Sequence, residues 1–359
     1  FTVTNLPSGA AANTLAFYRG TSSGTGAIIN VTDSLIIGSG GIVTANDGSI
    51  ITATIDGTNG TYLTTSNNAP LYLATGANSA TGALEIKTSI TGNIDVIKAG
   101  PNGAKFGGTN QANTFTGTLY VNGGSMLLGK SSGVNALAGN AVVRSGGILD
   151  LDQSHQIADT ATVTIENGGF FKTDSYSETI SNLAGGGMLL SETASSANTF
   201  TVKGYVAPGD GGIGTMINNR VGTSSVFKMD TNAVFNIELA GNGATFDRMD
   251  FYNFTVGEFS LTNNAINLAL LGTKTPGTYT NSIFRFYSDN GTTFTNSTIS
   301  SGLAIGTWST NDFASTPTIS YNGTSIDLTY EVVPEPSTYA LLGLSGLALA
   351  AYRLRRRNR

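Results

Sequence analysis

Three segments in the middle of the chain repeat one pattern at almost constant spacing. They are Leu119-Tyr-Val-Asn-Gly-Gly-Ser-Met-Leu-Leu, Val142-Val-Arg-Ser-Gly-Gly-Ile-Leu-Asp-Leu and Val163-Thr-Ile-Glu-Asn-Gly-Gly-Phe-Phe-Lys. Each reads as a strand, a Gly-Gly corner and a second strand. The glycine pairs begin at Gly123, Gly146 and Gly168, spacings of 23 and 22 residues, and the cluster Gly185 to Gly187 continues the series. A period of this size marks stacked coils, none of which can bury its apolar face alone. Glycine supplies the positive φ that a sharp corner needs. The chain is therefore expected to be all-β, a parallel β-helix whose inward Val, Ile, Leu and Phe form one continuous core. A β-sandwich would place turn signals every 8–12 residues or so and gives no reason for the longer period.

Composition fits that expectation. Charged residues make up 11% of the 359, against about 25% in a typical soluble protein. Glycine, 47 residues, takes up much of the difference. Short bursts of Ile, Val, Thr, Phe and Tyr separate this chain from a disordered one. Cys 0 excludes a disulfide framework and thiol chemistry. The formal charge of −5 hides a division: five of the 18 basic residues lie after residue 352, leaving 13 against 23 acidic ones, or −10, before it. So acidic a body is not a nucleic-acid binder, because phosphate affinity needs a basic face. The sequence opens on Phe1-Thr2-Val3-Thr4-Asn5, which reads as strand, with no basic-then-apolar leader. It is expected to be a mature form or a fragment.

Around the first repeat the residues are specific enough to compare. Thr109-Asn-Gln-Ala-Asn-Thr-Phe-Thr-Gly-Thr-Leu-Tyr-Val-Asn-Gly-Gly resembles the autotransporter-associated β-strand repeat, through Asn113-Thr114-Phe115-Thr116-Gly117 and Asn122-Gly123-Gly124. Val206-Ala207-Pro208-Gly209-Asp210, Ile213-Gly214-Thr215 and Phe246-Asp247-Arg248-Met249 are similar to the closing section of such proteins. The resemblance implies a solenoid and carries no catalytic site. Four parts follow: irregular solenoid coils over 1–105, with strands at Leu35, Ile50 and Ala83; repeat-bearing coils over 106–272; a C-terminal β cap over 273–330; and a tail over 331–359, entered through a linker from Glu331 to Pro336.

Chemistry-bearing motifs are few. Gly124-Ser-Met-Leu-Leu-Gly129-Lys130-Ser131 matches the phosphate-binding pattern G-x-x-x-x-G-K-[ST]. That loop needs a nest of backbone amides and a helix opening at the lysine. Here Met126, Leu127 and Leu128 read as strand, so nucleotide binding is not expected. His155 is the one histidine, which rules out multi-histidine metal sites. Carboxylates gather at Asp150, Asp152 and Asp159, and again at Asp247 and Asp250. Asp150 and Asp152 alternate along a strand and share a face. A solvated face is expected there, with carboxylate-based polysaccharide cleavage as the enzymatic alternative. Thr52-Ala-Thr54, Thr114-Phe-Thr116 and Thr162-Val-Thr164 do not keep the constant period that an ice-binding face requires. No cofactor, metal or catalytic residue is assigned.

The tail carries the clearest signal. Val333-Pro334-Glu335-Pro336 precedes an uncharged run from Pro336 to Tyr352, and Arg353, Arg355, Arg356, Arg357 and Arg359 close the sequence. Seventeen uncharged residues, 336 to 352, span roughly 26 Å as a helix, against a bilayer core of about 30 Å. A single transmembrane helix over about 337–352 is therefore expected, with the arginines as stop-transfer signal and the body outside the cytoplasm. These three parts in this order resemble the PEP-CTERM sorting tail of bacterial envelope proteins, which is also catalogued as an ice-binding protein C-terminal domain. The resemblance implies that Pro334, Glu335 and Pro336 are recognised by an exosortase-type processing enzyme in the membrane. The expected function is that of an exported, non-enzymatic structural or adhesive solenoid at the cell surface or in the matrix. An extracellular polysaccharide is the candidate ligand. Polysaccharide-binding or polysaccharide-cleaving activity and ice binding are the alternatives.

Overall fold

The computed structural model describes residues 4–18, 27–45, 53–76, 84–108, 111–192, 198–209, 211–220, 225–253, 259–287, 302–333 and 336–357. Phe1 to Val3, Ile50 to Thr52, Ala83, Thr109, Asp210, Pro334, Glu335 and Arg359 lie outside the described residues. Among the described residues thirty strands, from β1 (Thr4–Leu6) to β30 (Ser325–Val332), form a 14-stranded and a 16-stranded sheet. Through the centre, successive strands alternate between the sheets. Strands β12 (Leu119–Val121), β14 (Ala141–Val143) and β16 (Thr162–Ile165) belong to one. Strands β13 (Gly124–Leu128), β15 (Gly147–Leu151) and β17 (Phe170–Lys172) belong to the other. Each pairs in parallel with its counterpart one coil away. This is the arrangement of a β-solenoid.

The register shows where the period comes from. In the larger sheet Leu119 pairs with Ala141, Ala141 with Val163, Val163 with Leu183 and Leu183 with Val206. Those steps are 22, 22, 20 and 23 residues. Val206 then pairs with Phe235 and Phe235 with Ile266, steps of 29 and 31 residues. All seven side chains are buried, because every second residue of a strand faces the same way. Met126, Leu149, Phe171 and Leu189 form the facing column in the other sheet. Towards the C-terminus the core turns aromatic. Phe171, Phe200, Phe227 and Phe251 follow one another at 5.6, 5.9 and 5.9 Å between ring centroids.

At the two later corners the two glycines do different work, whereas at the first Gly124 does both. Gly124, Gly146 and Gly168 have φ of +61°, +79° and +81°, a region L-residues disfavour. Their neighbours Gly147 and Gly169 allow close approach instead. A Cβ on Gly147 would meet the Val121 carbonyl oxygen at 2.3 Å, and one on Gly169 the Val143 carbonyl oxygen at 2.5 Å. The Asn-Thr-Phe-Thr-Gly segment has a similar logic. Asn113 accepts from the Ile90 N–H at 2.9 Å and donates from Nδ2 to the Ala136 carbonyl at 2.7 Å, so one side chain bridges the coil before and the coil after. Phe115 fills the core, and a Cβ on Gly117 would strike the Ile94 carbonyl oxygen at 2.2 Å.

At the C-terminal end the parallel pattern gives way. Strand β27 (Gly277–Tyr287) pairs in parallel with β24 (Arg248–Tyr252) and antiparallel with β30, which pairs antiparallel with β29 (Thr318–Tyr321). Strand β30 takes in Glu331 and Val332, residues expected to open a linker. Helix α1 (Pro336–Arg357) follows. The transmembrane expectation is overturned: among the described residues no helix is long and apolar enough to cross a membrane. The length estimate counted residues that are merely uncharged. Pro336, Ser337, Thr338 and Tyr339 open the helix and Arg353 begins its basic end. The stretch between, Ala340 to Ala351, is twelve residues, about 18 Å of helix and itself interrupted by Gly343, Ser345 and Gly346.

The corner geometry makes a paired prediction. Gly146→Ala meets no atom within 4 Å and is expected to lower stability by about 1–2 kcal/mol, the penalty of positive φ alone. Gly124→Ala would place its Cβ 2.5 to 2.7 Å from three backbone carbonyl oxygens, those of Asn102, Gly100 and Pro101. It is expected to lose about 3 kcal/mol or more, since backbone must move as well. Urea unfolding midpoints of the two variants measure the difference.

Candidate functional site

Two places carry the chemistry that the sequence singles out. One is the tail. Leu344, Leu347, Leu349, Tyr352 and Leu354 are 59 to 69% exposed, and Arg353, Arg355 and Arg356 are exposed on the same helix. Arg357 is the last residue of α1. An apolar surface beside a basic end is thus presented, and Pro336 joins it at the first position of the helix. Proline suits that position because its missing N–H has no helical partner there.

The other is a cleft on the outer face of the smaller sheet. Asp150 lies on β15, Asp152 follows one residue past its end, and both line this cleft. The cleft, about 300 Å³, is lined by Leu127, Asp150, Leu151, Asp152, Asp174, Ser175 and Tyr176. Lys105 pairs with Asp152 across the intervening coil, and Lys172 stands opposite Asp150 in register. Burial pushes the Asp150 carboxyl up to about 6, against the pull of Lys172 and with a further push from Asp174, Asp152 and Glu192. A wider cleft of about 790 Å³ opens on Asp56, Glu85, Lys87 and Gln111. Among the described residues no three His, Asp or Glu side chains are placed to hold a metal.

The remaining candidates are dispersed. Asp159 pairs with Lys203 at 3.3 Å. Asp247 is a backbone staple, accepting from Gly214 N–H at 2.7 Å and Glu238 N–H at 2.8 Å. Asp250 is buried against Arg248 at 2.8 Å. His155 takes a positive φ of 56°, and its backbone N–H donates to the Ser177 carbonyl. The nucleotide-loop match dissolves in the fold. Gly124 to Leu128 is strand, and Lys130 is fully buried, its ammonium donating to the Gly107 and Lys87 carbonyls at 3.0 and 3.4 Å. Among the described residues, the outward column of the larger sheet that follows the repeats holds a single threonine. It runs Tyr72, Ile97, Tyr120, Val142, Thr164, Ala184, Ala207. Thr114 and Thr116 bond to Thr91 and Asn93 in the preceding coil.

Buried charge was missed at the sequence level. Lys98 occupies a core position, paired with Leu73 and Val121, and its ammonium donates to the Ala99, Gly100 and Gly123 carbonyls at 3.2, 3.0 and 2.9 Å. Burial lowers Lys98 and Lys130 to about 8. Glu178 is fully buried and accepts from the Gln156, Ile157 and Thr179 N–H groups. Burial raises it to about 7, and burial likewise raises Asp247 to about 7. The available signal was alternation: Lys98 shares a strand face with Val96.

A scan against protein-family models matches the PEP-CTERM protein-sorting motif at residues 332–357. The motif implies exosortase-dependent sorting of an exported protein. No curated protein matches the chain, and no solved structure matches it.

These shifts set a pH dependence. A folded state that holds the Glu178 proton up to about pH 7, against 4.5 for an ordinary glutamate, binds more protons than the unfolded chain in that window. Its stability contribution is complete below the lower value and declines as pH rises through the higher one. The lysines act oppositely. Between about 8 and 10.5 the unfolded chain binds more protons, so stability rises with pH there. Melting temperature is expected to pass through a minimum between these windows. Glu178→Gln should shrink the fall on the acid side, and Lys98→Met the rise on the alkaline side, in thermal scans across pH.

Proposed function

We propose that the protein is an exported, non-enzymatic β-solenoid with a structural or adhesive role at the cell envelope or in the extracellular matrix, reached by sorting through its C-terminal motif. One observation carries this: the matched motif at 332–357 follows directly on a body whose two long sheets share one continuous core. A solenoid extends by repetition and offers long lateral faces, which suits a spacer or an adhesive surface. Pro334, Glu335 and Pro336 act as the element an exosortase-type enzyme reads, with Arg353, Arg355, Arg356, Arg357 and Arg359 as its basic end. Processing near Pro334 to Pro336 releases the solenoid as the working product. The four-part division at 105, 272 and 330 belongs to the same proposal, as does kinship of the central coils with autotransporter-associated β-strand repeats. Asn113 and Phe115 support that kinship by holding a coil-bridging and a core position.

A second reading rests on the Asp150 cleft. Carboxylates there, Asp150, Asp152, Asp174 and the nearby Glu192, outnumber Lys105 and Lys172. Such a surface favours neutral or amine-bearing glycans over acidic ones. Binding without cleavage is the form consistent with Asp152 being held by Lys105.

Mass spectrometry of the chain, tagged upstream and recovered from secreted and cell-bound fractions, tests the primary reading. A mature C-terminus near Pro334 to Pro336 in the secreted fraction is expected; an intact Arg359 in every fraction would rule out processing. Incubation with neutral, amine-bearing and acidic polysaccharides is expected to release no reducing ends. Release that Asp152→Asn abolishes would make the cleft catalytic.

A further inference from the structure

The folded body takes in the first two residues of the matched motif, Val332 and Val333, and so reaches to the edge of Pro334. Val332 is 2% exposed, pairs with Gly277 on β27 and bridges to Phe313. The Val333 N–H donates to the Asp312 carbonyl at 3.1 Å, and the Ala314 N–H to the Glu331 carbonyl at 2.8 Å. Phe313 stands edge-on to Tyr330 and Trp308, at 5.6 and 6.2 Å between centroids. The Asp312 carboxylate is tied to Lys274 at 2.5 Å. Pro334 is the next residue in the chain.

An enzyme that cuts or transfers a peptide commonly takes it in extended form, through main-chain hydrogen bonds and alternate side-chain pockets. An active site gripping Pro334 to Pro336 therefore also needs the residues just upstream. Those residues, Val332 and Val333, already have backbone partners, and the Val332 side chain is buried. One backbone cannot satisfy both sets of partners at once. We propose that the end of β30 is a latch on sorting: the enzyme acts only on molecules in which Val332 and Val333 have come away from Gly277, Phe313 and Asp312. This rests on the processing reading above. The opening is local, because it breaks one end of an antiparallel pair and leaves the parallel coils intact. The rate of processing then scales with the open fraction. Its closing contacts, Gly277 and Phe313, come from segments well upstream in sequence, so the latch shuts only once the C-terminal end is built.

The test uses the full chain, tagged upstream, in a bacterium carrying an exosortase-type enzyme for this motif, with processing followed by pulse–chase. Inserting Gly-Ser-Gly-Ser-Gly-Ser between Val333 and Pro334 leaves every latch contact in place but supplies extended chain beside the motif. It is expected to speed processing about fivefold or more, the factor for no longer having to break one ordinary hydrogen bond. Phe313→Ala should speed the chain without the insert and have no further effect on the chain with it. Hydrogen exchange on the purified chain should show the Val333 amide protected, and exposed in Phe313→Ala. Equal processing rates with and without the insert would overturn the latch and leave sorting standing. A chain that keeps Arg359 in every variant would overturn the processing reading, and the latch with it.

Discussion

The coils of this fold depend on parallel stacking at the spacing of a β-ladder, roughly 4.8 Å. At that distance a corner has no room for a side chain pointing at the neighbouring coil. Gly147 and Gly169 sit where a Cβ would collide with the carbonyls of Val121 and Val143. Gly146 and Gly168 supply the turn itself. The strands can then repeat their inward column from Leu119 to Ile266, although the intervening chain lengthens. Loops grow outward and the rungs stay aligned.

A solenoid corner also leaves carbonyls and N–H groups facing inward, and this chain answers some of them with charge. Lys98 gathers three carbonyls and Glu178 gathers three N–H groups, each without an opposite charge at hand. Partial backbone charges take the place of a counterion. The penalty is visible in the shifted proton affinities of both groups. Asn113 does comparable work while neutral.

Much of this architecture was legible in the sequence. Glycine pairs at 123, 146 and 168 fall in register because three successive coils lack insertions. The period fades after Val206 because the steps grow to 29 and 31 residues, although the pairing persists. Asn198-Thr199-Phe200 shares the buried Asn and core Phe of Asn113-Thr114-Phe115, yet its missing glycine hid the likeness. The burial of Lys130 in Gly129-Lys130-Ser131 could not be read from neighbours that look like a surface turn. The tail shows the opposite error. Counting uncharged residues overstated its apolar length, because Ser337, Thr338 and Ser345 lack charge without lacking polarity. The cleft at Asp150 was legible only as a shared strand face; Asp174 and Tyr176 reach it from a later coil.

Asn113 has a mechanical meaning. Ladder hydrogen bonds of a solenoid run along its axis, so a pull on either end peels the outermost coil before any other. Where coils touch only their neighbours, peeling proceeds one coil at a time and each step forgets the last. A side chain bonded to the coil before and the coil after ties three coils into one step. Tension arriving at that rung must release the group together, which makes the middle of the rod a brake on unravelling that starts from its ends.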